Sequence, residues 1–155
     1  MGLVALVAAS VSAIQVSPAA WLLIWLAAAA TAATIGIEAI RRRMKAVGLP
    51  LWCDPSRRFA QKVFPPMAAG VVLTILAVVD GSPERLPTLW LLLYGAGVMC
   101  GAEGCRILRG LGLGLMGVGL VSLALPSASG TLCLAVGFGG LNVLAGLLIA
   151  RRHGR

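Results

Sequence analysis

The chain has 155 residues, of which 13 are Lys or Arg and 5 are Asp or Glu, and its mean hydropathy is +0.97. Only 12% of the residues are charged, which is half of the roughly 25% that an average soluble domain carries. Residues 1–37 and 110–150 contain no charged side chain, and each stretch can supply two membrane spans of about 20 residues. This composition excludes a soluble globule, a disordered chain, a stand-alone nucleic-acid-binding protein and a separate soluble domain.

Turn residues divide the apolar sequence into helices. Ser17-Pro18 separates the first two helices, and Asp54-Pro55 begins a short surface helix whose basic side chains can face lipid phosphates. Trp21 and Trp25 lie four residues apart, as in an interfacial aromatic belt. The transmembrane helices are predicted at about 2–14, 18–43, 66–79, 87–107, 110–125 and 131–152, and the surface helix at about 55–64. The predicted fold is all-α: one transmembrane helical domain over 1–155 with about six transmembrane helices.

The start of the chain raises two further expectations. Helix 1 is short for a membrane span, so whether it crosses fully is left open. No polar residues precede it, which predicts a start that is trimmed relative to a longer natural product.

The basic residues predict the orientation in the membrane. If helices 2 to 6 span, one side holds twelve basic residues and the other holds only Arg85. The twelve are Arg41, Arg42, Arg43, Lys45, Arg57, Arg58, Lys62, Arg106, Arg109, Arg151, Arg152 and Arg155. Because cytoplasmic loops retain Lys and Arg, we expect a bacterial cytoplasmic membrane protein with both termini inside. Membrane lipids, with anionic headgroups on the cytoplasmic side, are the expected partners, and the net charge of +8 then requires no nucleic acid.

The chain also suggests three hairpin repeats. Trp21-Leu-Leu-Ile-Trp-Leu-Ala aligns with Trp90-Leu-Leu-Leu-Tyr-Gly-Ala, and each is followed by a Glu that precedes an Arg by three residues. Internal repeats are common in membrane proteins. Apolar sequence of low complexity also aligns by chance, so true repetition and coincidence both stay open.

Two acidic residues lie in the apolar segments. Glu38 precedes Arg41 and Glu103 precedes Arg106 by three residues, which puts each pair on one helix face. An intramembrane carboxylate can relay protons or bind a cation. Since both pairs lie near cytoplasmic helix ends, where long side chains reach the interface, ion pairs that anchor the helix ends are the preferred interpretation.

The residues that ordinarily bind metals or perform catalysis are sparse. The four cysteines, Cys53, Cys100, Cys105 and Cys133, form no zinc-binding spacing, and the single histidine is His153 in the C-terminal tail. We therefore predict no metal, no cofactor and no catalytic residues, and four reduced thiols.

Glycines are the most informative residues. Gly97 and Gly101, and Gly110 and Gly114, form G-x-x-x-G motifs that let helix backbones approach closely. The predicted helix-packing glycines are Gly97, Gly101, Gly110, Gly114, Gly137, Gly139 and Gly140. Packing within one bundle and packing against a second copy or a partner subunit are both open. Asn142, a polar intramembrane residue, is expected to hydrogen-bond a neighbouring helix, with a pore-lining role as the alternative.

The stretches Leu89–Gly97, Gly137–Asn142 and Ile149–Arg152 resemble a group of uncharacterised small bacterial membrane proteins, in which His often replaces Asn142. The resemblance covers the chain from Trp21 onward and implies a membrane helix bundle without an assigned activity. The predicted function is that of a non-enzymatic structural, accessory or regulatory subunit that acts through helix packing. A small oligomeric transporter or channel is the alternative.

Overall fold

The computed structural model of the chain describes residues 2–14, 17–46, 48, 54–102, 104–126 and 129–153. Within these ranges every regular element is helical, so the all-α prediction is confirmed. The first five helices are α1 (Gly2–Ser12), α2 (Pro18–Ala46), α3 (Asp54–Val79), α4 (Leu86–Gly101) and α5 (Arg106–Ala124). The last helix, α6, has α-helical ends at Gly130–Leu134 and Asn142–His153 and a π-helical turn at Ala135–Leu141.

Helix α3 corrects the prediction of a separate surface helix. It runs without a break from Asp54 to Val79, although Pro65 and Pro66 lie inside it. Proline removes one backbone donor but fixes φ near the helical value, so a chain can continue through it where its surroundings accept the bend. Gly97 of α4 leaves room for the Pro66 ring, which would lie 3.3 Å from a Cβ built on that glycine.

The boundary between α4 and α5 lies earlier than predicted. Helix α4 ends at Gly101, and Gly104 adopts a φ of +72°, a left-handed conformation that terminates helices and favours glycine. Arg106 is therefore the first residue of α5, not part of the last turn of α4. Glu103, its predicted ion-pair partner, lies outside the described residues.

Neighbouring helices alternate in direction. Gly95 of α4 lies against Gly112 of α5, while Leu92 lies against Gly119, which makes this pair antiparallel. Helix α3 is also antiparallel to α4, with Gly70 beside Leu93 and Met67 beside Gly97. The N-termini of α2, α4 and α6 consequently lie at one end of the bundle. The helix termini that are rich in Arg and Lys, whether N- or C-terminal, lie at the opposite end.

Four helical segments are long and apolar enough to cross a membrane by length and composition: Pro18–Ala46, Ala60–Val79, Arg106–Ala124 and Gly130–Arg151. Helix α1 has 11 residues and α4 has 16, so their rises are about 16 Å and about 24 Å. Both are shorter than a bilayer core of about 30 Å. The finding supports a membrane protein, while the six-span count and the hairpin repeats stay predictions.

Tryptophan side chains join the helices near the end opposite the basic residues. Trp21 stacks on Trp90 with ring centroids 5.8 Å apart, and its Nε1 donates to Thr131 Oγ1 at 3.0 Å. Trp90 Nε1 donates to Thr74 Oγ1 at 2.9 Å. Trp25, predicted for an interfacial belt, is instead only 4% exposed and belongs to the core. The aromatic residues at the start of α2 therefore hold helices together within the bundle.

These indole hydrogen bonds give a stability prediction. Thr74→Val or Thr131→Val keeps the side-chain shape but leaves an indole N–H unpaired, so each should lower the stability of the protein by about 1 kcal/mol. Thr34→Val is the matched control, because its hydroxyl is exposed and donates only to the Thr31 carbonyl of its own helix. Thermal unfolding in one detergent measures all three. Equal shifts for Thr74→Val and Thr34→Val would show that the bond between α3 and α4 contributes nothing.

Candidate functional site

A groove of about 530 Å³ separates α2 from α3 and is the clearest candidate site. Alanines of α2 form one wall, residues around Gly70 of α3 form the other, and side chains of α1, α4 and α6 form the floor. The two walls consist of Trp25, Leu26, Ala28, Ala29, Ala32, Ala33, Pro66, Met67, Gly70, Val71, Thr74 and Ile75. The floor consists of Ala5, Trp90, Leu93, Tyr94, Phe138 and Asn142. We call this space the α2–α3 groove.

The size of the α2–α3 groove suits a small molecule. Its α2 wall extends from Trp25 to Ala33, a rise of about 12 Å at 1.5 Å per residue. Its volume of about 530 Å³ lies within the range of about 300–1,000 Å³ that small-molecule sites have. A flat ring or a hydrocarbon chain therefore fits the groove.

Two polar side chains lie on the groove floor. Asn142 Nδ2 donates to the carbonyl oxygens of Phe138 at 3.1 Å and of Gly137 at 3.5 Å. Asn142 therefore bonds its own helix at the π turn, which corrects the predicted bond to a neighbouring helix. Because a π turn takes the backbone out of the regular α-helical pattern, a side-chain donor at this point stabilises it. Tyr94 packs edge-on against Phe138, with ring centroids 5.1 Å apart.

Trp25 borders the groove with an unsatisfied donor. Its Nε1 is buried and has no acceptor among the residues that the structure describes. A buried donor without a partner costs about 1–3 kcal/mol. The indole N–H is thus a strained feature of the groove wall, unlike those of Trp21 and Trp90, which bond threonines of other helices.

The predicted acidic site at the end of α2 is an ion-pair cluster away from the groove. Glu38 accepts hydrogen bonds from Arg41 Nε at 2.8 Å and from Arg42 Nε at 2.9 Å. Glu38 lies nine residues after Ala29, hence about 180° around the helix from that groove-lining residue. With 38% of its side chain exposed, Glu38 has the contacts expected of a helix-end anchor. The Arg42 contact was not part of the prediction.

Six of the seven predicted packing glycines divide into two groups, and for the seventh, Gly101 at the end of α4, packing stays a prediction. A Cβ built on Gly114 would lie 3.1 Å from Leu141, and one on Gly97 would lie 3.3 Å from Pro66, while Gly137 and Gly139 are pressed against Leu91 and Leu6. These four glycines lie at helix contacts. Gly110 and Gly140 make no contact within the described part of the chain, because no atom there comes within 4 Å of the Cβ position of either, so for these two only packing against another molecule stays a prediction.

The close crossing of α4 and α5 uses a pair of glycines that sequence reasoning did not select. A Cβ on Gly95 would lie 2.8 Å from the Gly112 carbonyl oxygen, and a Cβ on Gly112 would lie 2.8 Å from the Gly95 carbonyl oxygen. Thr88 and Ser122 hydrogen-bond across the same two helices, with 2.5 Å between their hydroxyl oxygens. The signal was present, since Gly112 stands between the two glycines of the selected Gly110–Gly114 motif. Spacing alone does not reveal which of three alternating glycines faces the neighbouring helix.

A larger cleft of about 1000 Å³ lies at the end that carries Arg85, between the end of α1 and the start of α6. Its lining includes Trp21, Pro83 and Glu84. Within the described ranges, no group of three or more His, Cys, Asp or Glu side chains is placed to hold a metal ion. Cys100 and Cys105 are free and at least partly accessible, and Cys133 is free and buried.

Comparison of the chain with protein-family models, curated proteins and solved structures finds no match. The resemblance to small bacterial membrane proteins therefore stays a prediction, and the functional proposals below depend on the geometry of the chain alone.

Proposed function

We propose that this chain is a non-enzymatic integral membrane protein, a structural or accessory subunit that acts through helix packing. The observation that carries the proposal is the outward face of α5, where two glycines contact no other helix among the described residues. A Cβ built on Gly110 or on Gly117 has open space for 4 Å around it.

The exposed positions of α5 have the spacing of a helix-pairing stripe. Gly110, Leu113, Gly117, Leu120 and Ala124 are separated alternately by three and four residues, and all five are exposed. Such spacing aligns side chains along one seam, where large residues insert into spaces between residues of the facing helix. Small residues at such a seam bring two helix backbones close together in lipid. We call these five residues the α5 stripe.

The partner we propose for the α5 stripe is the same stripe of a second copy. Its alternation of glycine and leucine is self-complementary, so two copies related by a twofold axis can place Leu113 and Leu120 into each other's glycine gaps. A glycine in a helix interior costs about 1 kcal/mol relative to alanine. Close packing in a dimer would offset that cost for both outward glycines.

The orientation of this subunit follows from its charge. We propose that the basic end of the bundle faces the cytoplasm of a bacterium, with the C-terminal end of α6 on that side and the chain in the cytoplasmic membrane. The N-terminus is not placed there, because Gly2 lies beside Gly139 and Val143, near the middle of α6. Arg106 and Arg109, exposed at the start of α5, then reach anionic headgroups. Each basic residue near such a surface contributes about 1 kcal/mol to the attraction.

Gly117→Leu tests the proposed function. Leucine fills the gap in the α5 stripe on an exposed face, where no described atom lies within 4 Å of its Cβ position, so the fold should persist while the dimer association constant falls at least about tenfold. Energy transfer between labelled copies in liposomes, measured as lipid is added to dilute the protein, gives that constant.

Gly146→Leu is the matched control, because Gly146 also lies exposed on its helix with open space around its Cβ position. This variant should dimerise like the wild type. A wild type that shows no energy transfer at any dilution would contradict a dimer through α5.

A further inference from the structure

We infer that the α2–α3 groove binds a neutral, bilayer-soluble molecule with a flat ring that carries one hydrogen-bond donor and one acceptor. This site is separate from the α5 stripe and does not depend on the proposed function. It follows from the polar atoms of the groove floor that have no hydrogen-bond partner, and from the uncharged walls, which disfavour a charged ligand.

The groove floor offers hydrogen-bonding capacity that the described part of the chain leaves unused. Asn142 bonds its own helix only through Nδ2, and its Oδ1 has no donor there. The Tyr94 hydroxyl likewise makes no side-chain hydrogen bond within the described ranges, and it is not among the fully buried atoms, so it is open to a partner. An acceptor and a hydroxyl from two helices thus border one apolar space, where a polar atom without a partner costs free energy. A ligand with a hydroxyl and a carbonyl oxygen would satisfy both.

The walls determine the rest of the ligand. Every residue that lines the groove is uncharged, so a charged ligand would lie there without a counter-charge, at a large cost. Aromatic rings of Trp90, Tyr94 and Phe138 offer stacking and edge contacts to a flat ring. The volume of about 530 Å³ lies within the range of about 300–1,000 Å³ that is typical of small-molecule sites.

The depth of the polar pair excludes a phospholipid headgroup as its partner. Tyr94 is close to the middle of α4, and Asn142 is close to the middle of α6. Both residues therefore lie far from the helix ends, where phosphates would be. Access is from the side, between α2 and α3, since both walls include exposed residues such as Ala29 and Val71.

Decyl 4-hydroxybenzoate is a suitable probe, because it is uncharged at mildly acidic pH and carries a phenol hydroxyl, an ester carbonyl and an alkyl chain on one ring. Scintillation proximity with the tritiated probe measures its binding to the full chain in nanodiscs, after subtraction of empty nanodiscs. We expect saturable binding to the wild type. Unlabelled decyl benzoate, which lacks the hydroxyl, should compete about five- to tenfold less well than the unlabelled probe itself.

Three variants locate the site. Ala29→Leu places a large side chain in the groove and should abolish saturable binding, whereas Ala27→Leu, exposed and outside the lining, should leave it unchanged. Tyr94→Phe keeps the ring that packs on Phe138 and should weaken binding about five- to tenfold. Each variant is used only if its thermal midpoint matches that of the wild type, and Ala32→Leu replaces Ala29→Leu if it does not.

Several outcomes would overturn the inference. Binding that does not saturate would show that the probe only partitions into lipid. Equal affinities of the wild type and of Tyr94→Phe would remove the hydrogen-bonding argument. A phospholipid that stays with the wild type in intact-complex mass measurement, but is absent from Ala29→Leu, would assign the groove to a lipid chain instead.

Discussion

Gly95→Ala should leave little folded protein. The added methyl group would lie 2.8 Å from the Gly112 carbonyl oxygen and 3.0 Å from the Met116 backbone nitrogen. Neither atom can rotate away as a side chain can, so α4 and α5 must separate, with a cost of about 3 kcal/mol or more. Monodisperse yield after detergent extraction, together with the thermal midpoint of the fraction that remains, measures the loss. Gly112→Ala should lower the yield and the thermal midpoint in the same way, because its added methyl group would lie 2.8 Å from the Gly95 carbonyl oxygen.

Gly146→Ala is the control for that result. No atom lies within 4 Å of its Cβ position, and alanine favours a helix more than glycine does. Its midpoint should equal or slightly exceed that of the wild type. If Gly95→Ala and Gly146→Ala gave the same yield and midpoint, α4 and α5 could not cross as closely as the structure has them.

An impermeant thiol reagent added outside intact cells should label none of the natural cysteines, but should label a cysteine placed at the opposite end of the bundle. If the basic end faces the cytoplasm, an impermeant maleimide cannot reach Cys53, Cys100 or Cys105, and Cys133 is buried. The wild type should therefore stay unlabelled until the cells are permeabilised. Glu84→Cys puts an exposed thiol in the turn before α4, at the opposite end of the bundle, and should be labelled without permeabilisation.

The labelling experiment has two outcomes that would reverse the proposed orientation. One is a wild type that is labelled in intact cells. The other is Glu84→Cys that is labelled only after permeabilisation. The natural cysteines serve as internal controls in both cases, so no cysteine-free variant is needed.

The sequence predicted the helical class and most helix ends because those features depend on local chemistry. Long stretches without charge require helices in lipid. The Ser17-Pro18 dipeptide favours a turn, and it separates α1 from α2. The break after α4 was placed too late, since Gly104 ends the helix through its left-handed φ and nothing distinguishes it in sequence from the many helical glycines. The helices predicted separately at about 55–64 and 66–79 are one helix, because Pro65 and Pro66 are accepted inside α3.

The candidate site was harder to predict from the sequence, because it depends on which helices become neighbours. Asn142 was selected as polar in an apolar helix, but its bond to its own backbone needs a π turn that has no sequence signature. Tyr94 was missed as a site residue, although its place four residues after Trp90 gives a one-sided aromatic face. The groove exists because α2 and α3 lie apart. The spacing of residues along either helix does not predict that separation.

The π turn in α6 has a consequence for how this chain is compared with others. Such a turn holds one residue more than the α-helical path between the same ends, and each residue of an α-helix turns by about 100°. In a relative that lacks the extra residue, the side chains before the π turn would face the same directions as here. The side chains after it would be rotated about the helix axis by about 100°. The relative's residue at the position of Asn142 would leave the groove, and a sequence neighbour would take its place. Any comparison of groove chemistry between such proteins must therefore first locate this insertion, because an ungapped alignment would pair side chains that face different directions.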